Sequence, residues 1–351
     1  MHYLCSRFKL KIMKKAKYLL IAAAACLIGI VALCYYYLMT DFTAQTDTQY
    51  VYVDGDDTVD SVIVKLRPMA TEHGLTGLCI LIRHTDYAQH PLTGRYAVAP
   101  GVSTLKFMRK LKNGQQDAVK LTIPESRTMR KLAGALSRKL MLDSVEIASA
   151  LTDNSYCQRW GYDTATVPAL FVPNTYEVYW NVTLDHFMER MQREHDAFWN
   201  EERLTKAGAM ELSPNEVATL ASIIDEETAN NAEKPMIAGM YLNRLHLGMP
   251  LQADPTVKFA LQKFELRRIY HDMLLFDSPY NTYRNTGLPP GPIKVASIKG
   301  MEAVLNHVEH DFLYMCAKED FSGTHNFAAT YSEHLRNAAR YAKALNERGV
   351  K

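Results

Sequence analysis

The segment SPNEVATLASIIDEETA, residues 213–229, fixes the local structure around it. Ser213 stands where an N-cap accepts a backbone hydrogen bond, Pro214 takes the first helical position and Glu216 completes a capping box, so a helix starts here. Val217, Leu220, Ala221 and Ile224 then recur at the spacing of one buried stripe. Three carboxylates, Asp225, Glu226 and Glu227, close the segment, and helical geometry separates them. The neighbours of a helical residue lie three, four and seven positions earlier. For Glu227 these are Ile224, Ile223 and Leu220; for Glu226 they are Ile223, Ser222 and Thr219; for Asp225 they are Ser222, Ala221 and Ala218. Glu227 is therefore the carboxyl expected to be desolvated and the one of the three required for activity. Desolvation raises a carboxyl pKa, and an acid still protonated near neutral pH suits general-acid chemistry on a glycosidic oxygen. The competing reading is a solvated acidic helix end.

Downstream, EKPMIAGMYLNRLHLGMPLQADPTV (233–257) reads as a helix stopped by Gly248 and a tight turn; SPYNTYRNTGLPPGPI (278–293) and GTHNFAATYSEH (323–334) follow. These loops combine rigid Pro and Gly with clustered Asn, Thr, Tyr and His, the hydrogen-bonding and stacking groups that a sugar meets in a groove. Gln252, Asn281, Thr282 and Tyr283 are candidates for sugar hydrogen bonds, with Tyr283 also able to stack. Asp254, with Asn243 and Arg244, is either substrate-binding or part of a structural network around the turn. His325 either positions substrate or is structural. His307 and His310 lie three apart without a third ligand, so no metal is expected, and no cofactor motif is present.

Upstream, YLLIAAAACLIGIVALCYYYLM (18–39) is 22 residues without a charge, long enough at about 1.5 Å per residue to cross the ~30 Å hydrocarbon core of a bilayer. Residues 1–17 carry six basic side chains and no acid, so the positive-inside rule leaves everything after Met39 outside the cytoplasm. A cleaved signal peptide is disfavoured because bulky Tyr35 to Met39 fill the exit position, and a lipoprotein reading puts Cys26 mid-span. Translation from Met13 would leave the topology unchanged. Subtracting the six tail charges from 40 basic residues leaves 34 against 38 acids, a net of −4, which removes the electrostatic case for a nucleic-acid partner. Of six cysteines, only Cys79, Cys157 and Cys316 lie beyond the span, and their spacing gives no disulfide framework.

Between span and chemistry, residues 40–49 read as a linker, 50–53 as a strand, and a helix starts at Thr58. GRYAVAPGVSTLKFMRKLKNG (94–114) gives a strand, a Pro-Gly turn and a helix ended by Gly114. The strand, turn and Thr-capped helix of 51–66 return weakly at 121–136, with Thr128 matching Thr58. Residues 169–181 read as extended and aromatic, and a charged helix is expected over 184–204. The fold class is α+β, with a single N-terminal transmembrane helix, a small module at 50–115 and a larger mixed domain at 116–351.

ASIIDEETA, NRLHLGMPLQADPT, YNTYRNTGLPPGPI and HNFAATYSEH, in that order and spacing, resemble the endolytic murein transglycosylase (YceG-like) family. The resemblance covers roughly Leu121 to the C-terminus, with core motifs at 213–334, and extends to the anchor and to the 50–115 module, which is similar to the family's LysM-like domain. It implies a lytic transglycosylase in the bacterial cytoplasmic membrane that cleaves MurNAc-GlcNAc bonds of peptidoglycan near cell-wall synthases, leaving 1,6-anhydroMurNAc ends. The family's catalytic glutamate falls on Glu227, the residue that helix geometry also selects. Two positions depart from the pattern: Asp225 where Glu is usual, and Asn174 where Asp is usual. A muramidase using Asp254 as second carboxylate, or a non-cutting glycan-binding tether, are the alternatives.

Overall fold

The computed structural model describes residues 2–266 and 268–348, with side chains from Met13 onward. Met1, Arg267, residues 349–351 and the side chains of Cys5, Arg7, Lys9 and Lys11 lie outside the described set. The chain divides into two compact units: residues 1–119 with 179–181, and residues 120–178 with 182–351.

The first unit begins with α1 (His2–Leu38). Within its Met13–Leu38 stretch of 26 residues, an 18-residue window has a mean hydropathy of 2.4 and none of that window is buried in protein, so the helix is long and apolar enough to cross a membrane. β1 (Gln49–Val53), α2 (Val59–Leu66), α3 (Glu72–Arg83), β2 (Gly94–Val98) and α4 (Thr104–Lys112) follow. Each of the three short helices opens on a hydroxyl cap, since the Thr58, Thr71 and Ser103 side chains accept from the backbone N–H three residues on. β1 and β2 pair antiparallel from Gln49↔Val98 to Val53↔Gly94. Alternation along β1 turns Val51 and Val53 inward onto Val62, Leu66, Leu78, Tyr96, Phe107 and Leu111.

One helix lies outside the sequence reading, and one expectation changes. α3 carries two glycines in its GLTGLCILI run and has low helix propensity; burial of Gly74, Gly77, Leu78 and Ile82 supplies the stability that propensity lacks. The stretch read as a linker over 40–49 is not free of the fold at its start. Phe42 is fully buried and stacks on Phe107 with ring centroids 4.5 Å apart, while its N–H and C=O bond to Val102 and Thr71 at 2.9 and 2.8 Å. At its far end the unit takes in residues 179–181, with Trp180 edge-on to Tyr52 and Asn181 donating to Thr93.

The second unit is mostly helical. β3 (Val119–Thr122) leads into it and pairs with β4 (Thr175–Val178) around α5 (Met129–Ser137), α6 (Ser144–Leu151) and α7 (Asn154–Gln158). Thr128 caps α5 as Thr58 caps α2. The charged helix expected over 184–204 is two helices, α8 (Leu184–Phe198) and α9 (Glu201–Ala209). Asn200 breaks it because its side chain accepts from Arg203 N–H and starts a new helix. Next come α10 (Pro214–Glu227), α11 (Lys234–His246), α12 (Asp254–Ala260), the one-turn α13 (His271–Leu274) and α14 (Ile298–Leu305). The hairpin of β5 (Tyr314–Ala317) and β6 (His325–Ala328) and the terminal α15 (Tyr331–Glu347) complete it.

α10 opens on the expected capping box: Glu216 N–H donates to Ser213 Oγ, and Ser213 N–H to Glu216 Oε2. Every residue from Val217 to Ile224 is buried, because α11, α12 and α14 pack around it. A helix apolar all round belongs in the interior, and this one carries Glu227 to the edge of the core.

Truncating Phe42 to Ala is expected to lower the stability of the first unit by about 3–5 kcal/mol, the range for a buried Phe. Amide exchange at β1 and β2 in the full chain reads this directly; a change below about 1 kcal/mol would exclude Phe42 from that core.

Candidate active site

The three carboxylates ending α10 meet three different environments. Asp225 has a side chain only 1% exposed; Lys234 Nζ lies 2.7 Å away, and Ser297 donates to it from both backbone N–H (2.6 Å) and hydroxyl (2.7 Å). Ser297 is itself the N-cap of α14, so Asp225 ties the start of that helix to the end of α10. Gly300 makes room for it, since a Cβ there would come within 2.6 Å of Asp225 Oδ1. Glu226 is held by Arg127, whose Nε lies 3.0 Å from both carboxylate oxygens, and by Lys294 at 3.5 Å. That pairing raises the Arg127 pKa.

Glu227 has no cation partner within salt-bridge distance among the described residues. Its one side-chain hydrogen bond comes from Tyr241 Oη, which donates to Oε1 at 2.9 Å. Burial pushes its pKa up to about 7; the Tyr241 hydrogen bond works against this, and the nearby charge of Asp254 adds to it. The expected desolvation of Glu227 is found, and burial is the main cause of its raised pKa. What further distinguishes Glu227 from its two neighbours is that no cation pairs with it directly; Lys258 favours its ionised form only from beyond salt-bridge distance.

Glu227 opens onto a groove of about 230 Å³ in the second unit, lined by Met240, Tyr241, Arg244, Leu251, Gln252, Asp254, Tyr283, Met315, Cys316, Ala317 and His325. The structure thus brings together five of the seven predicted site residues: Glu227, Gln252, Asp254, Tyr283 and His325. Their side chains are braced. Tyr283 Oη donates to Asp254 at 2.6 Å. Gln252 sits in the left-handed region, φ 54°, with its N–H on Thr282 O and its Oε1 accepting from Arg244. His325 bonds through backbone N–H and Nδ1 to the buried Glu233, at 2.6 and 2.9 Å. With Nδ1–H on Glu233, His325 Nε2 is the ring nitrogen left for a ligand.

Asn281 and Thr282 do not reach the groove; they are 0% and 1% exposed. Asn281 Nδ2 donates to Leu274 O and Phe276 O and its Oδ1 accepts from Tyr283 N–H. Thr282 Oγ1 accepts from Ala253 N–H and bonds to Thr256 Oγ1. Both shape the turn that presents Gln252, Asp254 and Tyr283 instead of offering polar atoms to a ligand. Asn243 is likewise structural, donating to His310 O and Phe312 O. His310 bonds Met236 O and accepts from Phe312 N–H, so its ring is occupied within the fold. Asn174, exposed beside β4, accepts from Thr175 N–H and does not line the groove.

Three contributors escaped the sequence reading. Tyr241 lies with Ile237 and Arg244 at helical spacing on α11, a polar-tipped aromatic in a buried stripe, which is the signal that would have found it. Glu233 precedes α11 by one residue and carries no such signal. Cys316 faces the groove only because β5 pairs with β6, and burial raises its thiol pKa.

The arrangement suits proton transfer. A carboxyl with a pKa of about 7 exchanges its proton readily near neutrality, faces an open polar groove, and keeps one oxygen, Oε2, free of the Tyr241 bond.

Residues 51–340 match the YceG-like family. An endolytic murein transglycosylase of Bacillus subtilis is 30% identical over 271 residues, which cover 73% of this chain and 74% of that protein. Another, from Streptococcus pneumoniae, is 26% identical over 284 residues; they cover 72% of this chain and 51%, about half, of that longer protein. Among solved structures, a yceG-like protein from Listeria monocytogenes superposes with a TM-score of 0.53 at 25% identity, covering 83% of this chain and 99% of the other.

Two substitutions separate the roles of the neighbouring groups. Asp225→Asn leaves Lys234 buried without its charge partner and is expected to cost about 3 kcal/mol or more of stability, measured by urea titration of the full chain; a loss below about 1 kcal/mol would make the pair incidental. Tyr241→Phe removes the hydrogen bond that favours the ionised carboxylate, so the Glu227 pKa should rise above about 7. Infrared difference spectra of the carboxyl band against pH read that shift, and a fall would reverse the assigned role of Tyr241.

Proposed function

The chain belongs to the YceG-like family, and we propose from that premise that it is a membrane-anchored lytic transglycosylase that cuts the MurNAc-GlcNAc bond inside peptidoglycan strands. Enzyme class and substrate rest on the relatives named endolytic murein transglycosylase. One observation carries the mechanism: Glu227 alone of three adjacent carboxylates lacks a cation, and its pKa is raised to about 7 at the wall of the groove.

Glu227 is the general acid and then the base. With Tyr241 donating to Oε1, the acidic proton resides on Oε2 and passes to the glycosidic oxygen as its bond to MurNAc C1 breaks. The GlcNAc side leaves as an alcohol. The Glu227 carboxylate then takes the proton of the same sugar's C6 hydroxyl as that oxygen bonds to C1, closing the 1,6-anhydro ring and restoring the acid. No water is consumed, and a tethered nucleophile replaces activated solvent. Gln252, Asp254, Tyr283 and His325 bind the glycan, with Asp254 fixing the Tyr283 phenol and Glu233 fixing the His325 ring. The muramidase alternative needs Asp254 to activate water. The 2.6 Å bond from Tyr283 to its carboxylate favours a binding role instead.

The first unit is read as a glycan-binding, LysM-like module over 50–115, followed by the catalytic domain over 116–351. The anchor helix leaves both outside the cytoplasm by the positive-inside rule, next to nascent strands and the synthases that make them.

Glu227→Gln should lower turnover by about 10²–10⁴ with the fold intact by circular dichroism. Because the protonated acid starts the reaction, kcat/KM should hold below pH about 7 and fall as pH rises through it. Mass spectrometry of glycan ends made in ¹⁸O water should find unlabelled 1,6-anhydroMurNAc, one water lighter than a reducing end. Labelled reducing ends would establish hydrolysis and assign Asp254 the second carboxylate's part.

A further inference from the structure

α1 ends inside the first unit instead of trailing into a tether. Gly77, in the middle of α3, has room only for a hydrogen: a Cβ there would collide with the backbone carbonyl of Tyr37. His73, one turn earlier on α3, places its ring 4.7 Å from that of Tyr36. Four residues beyond α1, the Phe42 plug and its bonds to Val102 and Thr71 prevent the helix from swinging against the module.

We propose that the face of α3 bearing Gly77 and Ile80 is a lipid-contacting surface, seated in the headgroup layer of the bilayer that α1 crosses. The height follows from contact, whatever the tilt of α3. Tyr37 lies within two residues of the end of the uncharged run at Met39, so its carbonyl marks the outer edge of the hydrocarbon core. Gly77 touches that carbonyl. Ile80 is three residues on, ~4.5 Å along the axis, and the headgroup region is about 5–7 Å thick on each side. Ile80 therefore lies within ~4.5 Å of that edge, at the boundary of headgroups and acyl chains.

The chemistry of the face agrees. Residues three apart on a helix share a face, so Ile80 points the same way as Gly77, toward the anchor's surroundings, and it is 45% exposed. Tyr36 and Met39, 49% and 50% exposed, are the anchor's own groups at that level. Arg83 and His84, exposed at the end of α3, have no acidic partner among the described residues. An apolar side chain followed by a long cationic one, here Arg83, is the pattern that buries its stem in the acyl boundary and extends its charge to lipid phosphates. The module is thereby fixed in height and orientation above the membrane.

The proposal rests on reading α1 as a membrane span, and the test keeps the two apart. Full-length Ile80→Trp protein is reconstituted into phosphatidylcholine vesicles, with flotation checking that the chain is anchored. The fluorescence added over the parent protein should fall at least twofold in vesicles containing lipid brominated near the glycerol end, and less with lipid brominated near the chain terminus. The conservative Ile80→Met variant, carrying a ¹³C methyl label, gives a second reading: its new methyl signal should broaden with nitroxide-headgroup lipid. Anchored protein whose residue 80 responds to neither lipid would overturn the proposal, whereas failure to float would instead refute the anchor.

Discussion

Three consecutive carboxylates at the end of a helix buried on every side create an electrostatic demand that the second unit is arranged to meet. A charge taken from water must be paired or neutralised. Asp225 is paired with Lys234 from the next helix and with both donors of Ser297; Glu226 is paired with Arg127 from the start of the unit and Lys294 from the segment before α14. These bonds join parts of the chain 9 to 99 residues apart in sequence. Glu227 receives a phenol instead of a cation, and its carboxyl is neutralised by holding its proton near neutral pH. The same demand thus fastens α10, α11 and α14 together and leaves one carboxyl whose pKa is raised to about 7.

Around that acid, most polar side chains are braced by partners of their own: Asp254 holds Tyr283, and Glu233 holds His325. Arg244 reaches from α11 to the carbonyls of Leu313, Pro250 and Leu251 and to Gln252 Oε1. That network holds Gln252 in a backbone conformation that non-glycine residues seldom adopt. Asn281 and Thr282, though silent toward substrate, knit the opposite loop to the same turn. Catalytic geometry requires such support, since a site held loosely loses orientation that the chemistry depends on.

In the first unit the governing constraint is close approach. A glycine against a carbonyl and a phenylalanine in the core make the long apolar helix and the small module one continuous body at their junction. Residues 41–43 have polar neighbours in sequence and read as a linker for that reason; the single aromatic among them, Phe42, is what the module's core takes up.

Local chemistry made much of this legible. The capping box at Ser213, the threonine caps at 58 and 128, the uncharged apolar span and the alternation of β1 all act within a few residues, so the sequence determines them. The proposal of Glu227 as the catalytic acid also came from helix spacing and from family motifs. Its reason was only partly available, because the partners that set the three acids apart, Lys234, Ser297, Arg127, Lys294 and Tyr241, arrive from other elements. Asn281 and Thr282 look like sugar ligands by residue type, and only tertiary structure reveals that their polar atoms are spent on the fold. Glu233 behind His325, and the glycine of α3 against the anchor, likewise exist only in three dimensions: pairing across long sequence separations sets burial and charge, and no local pattern encodes it.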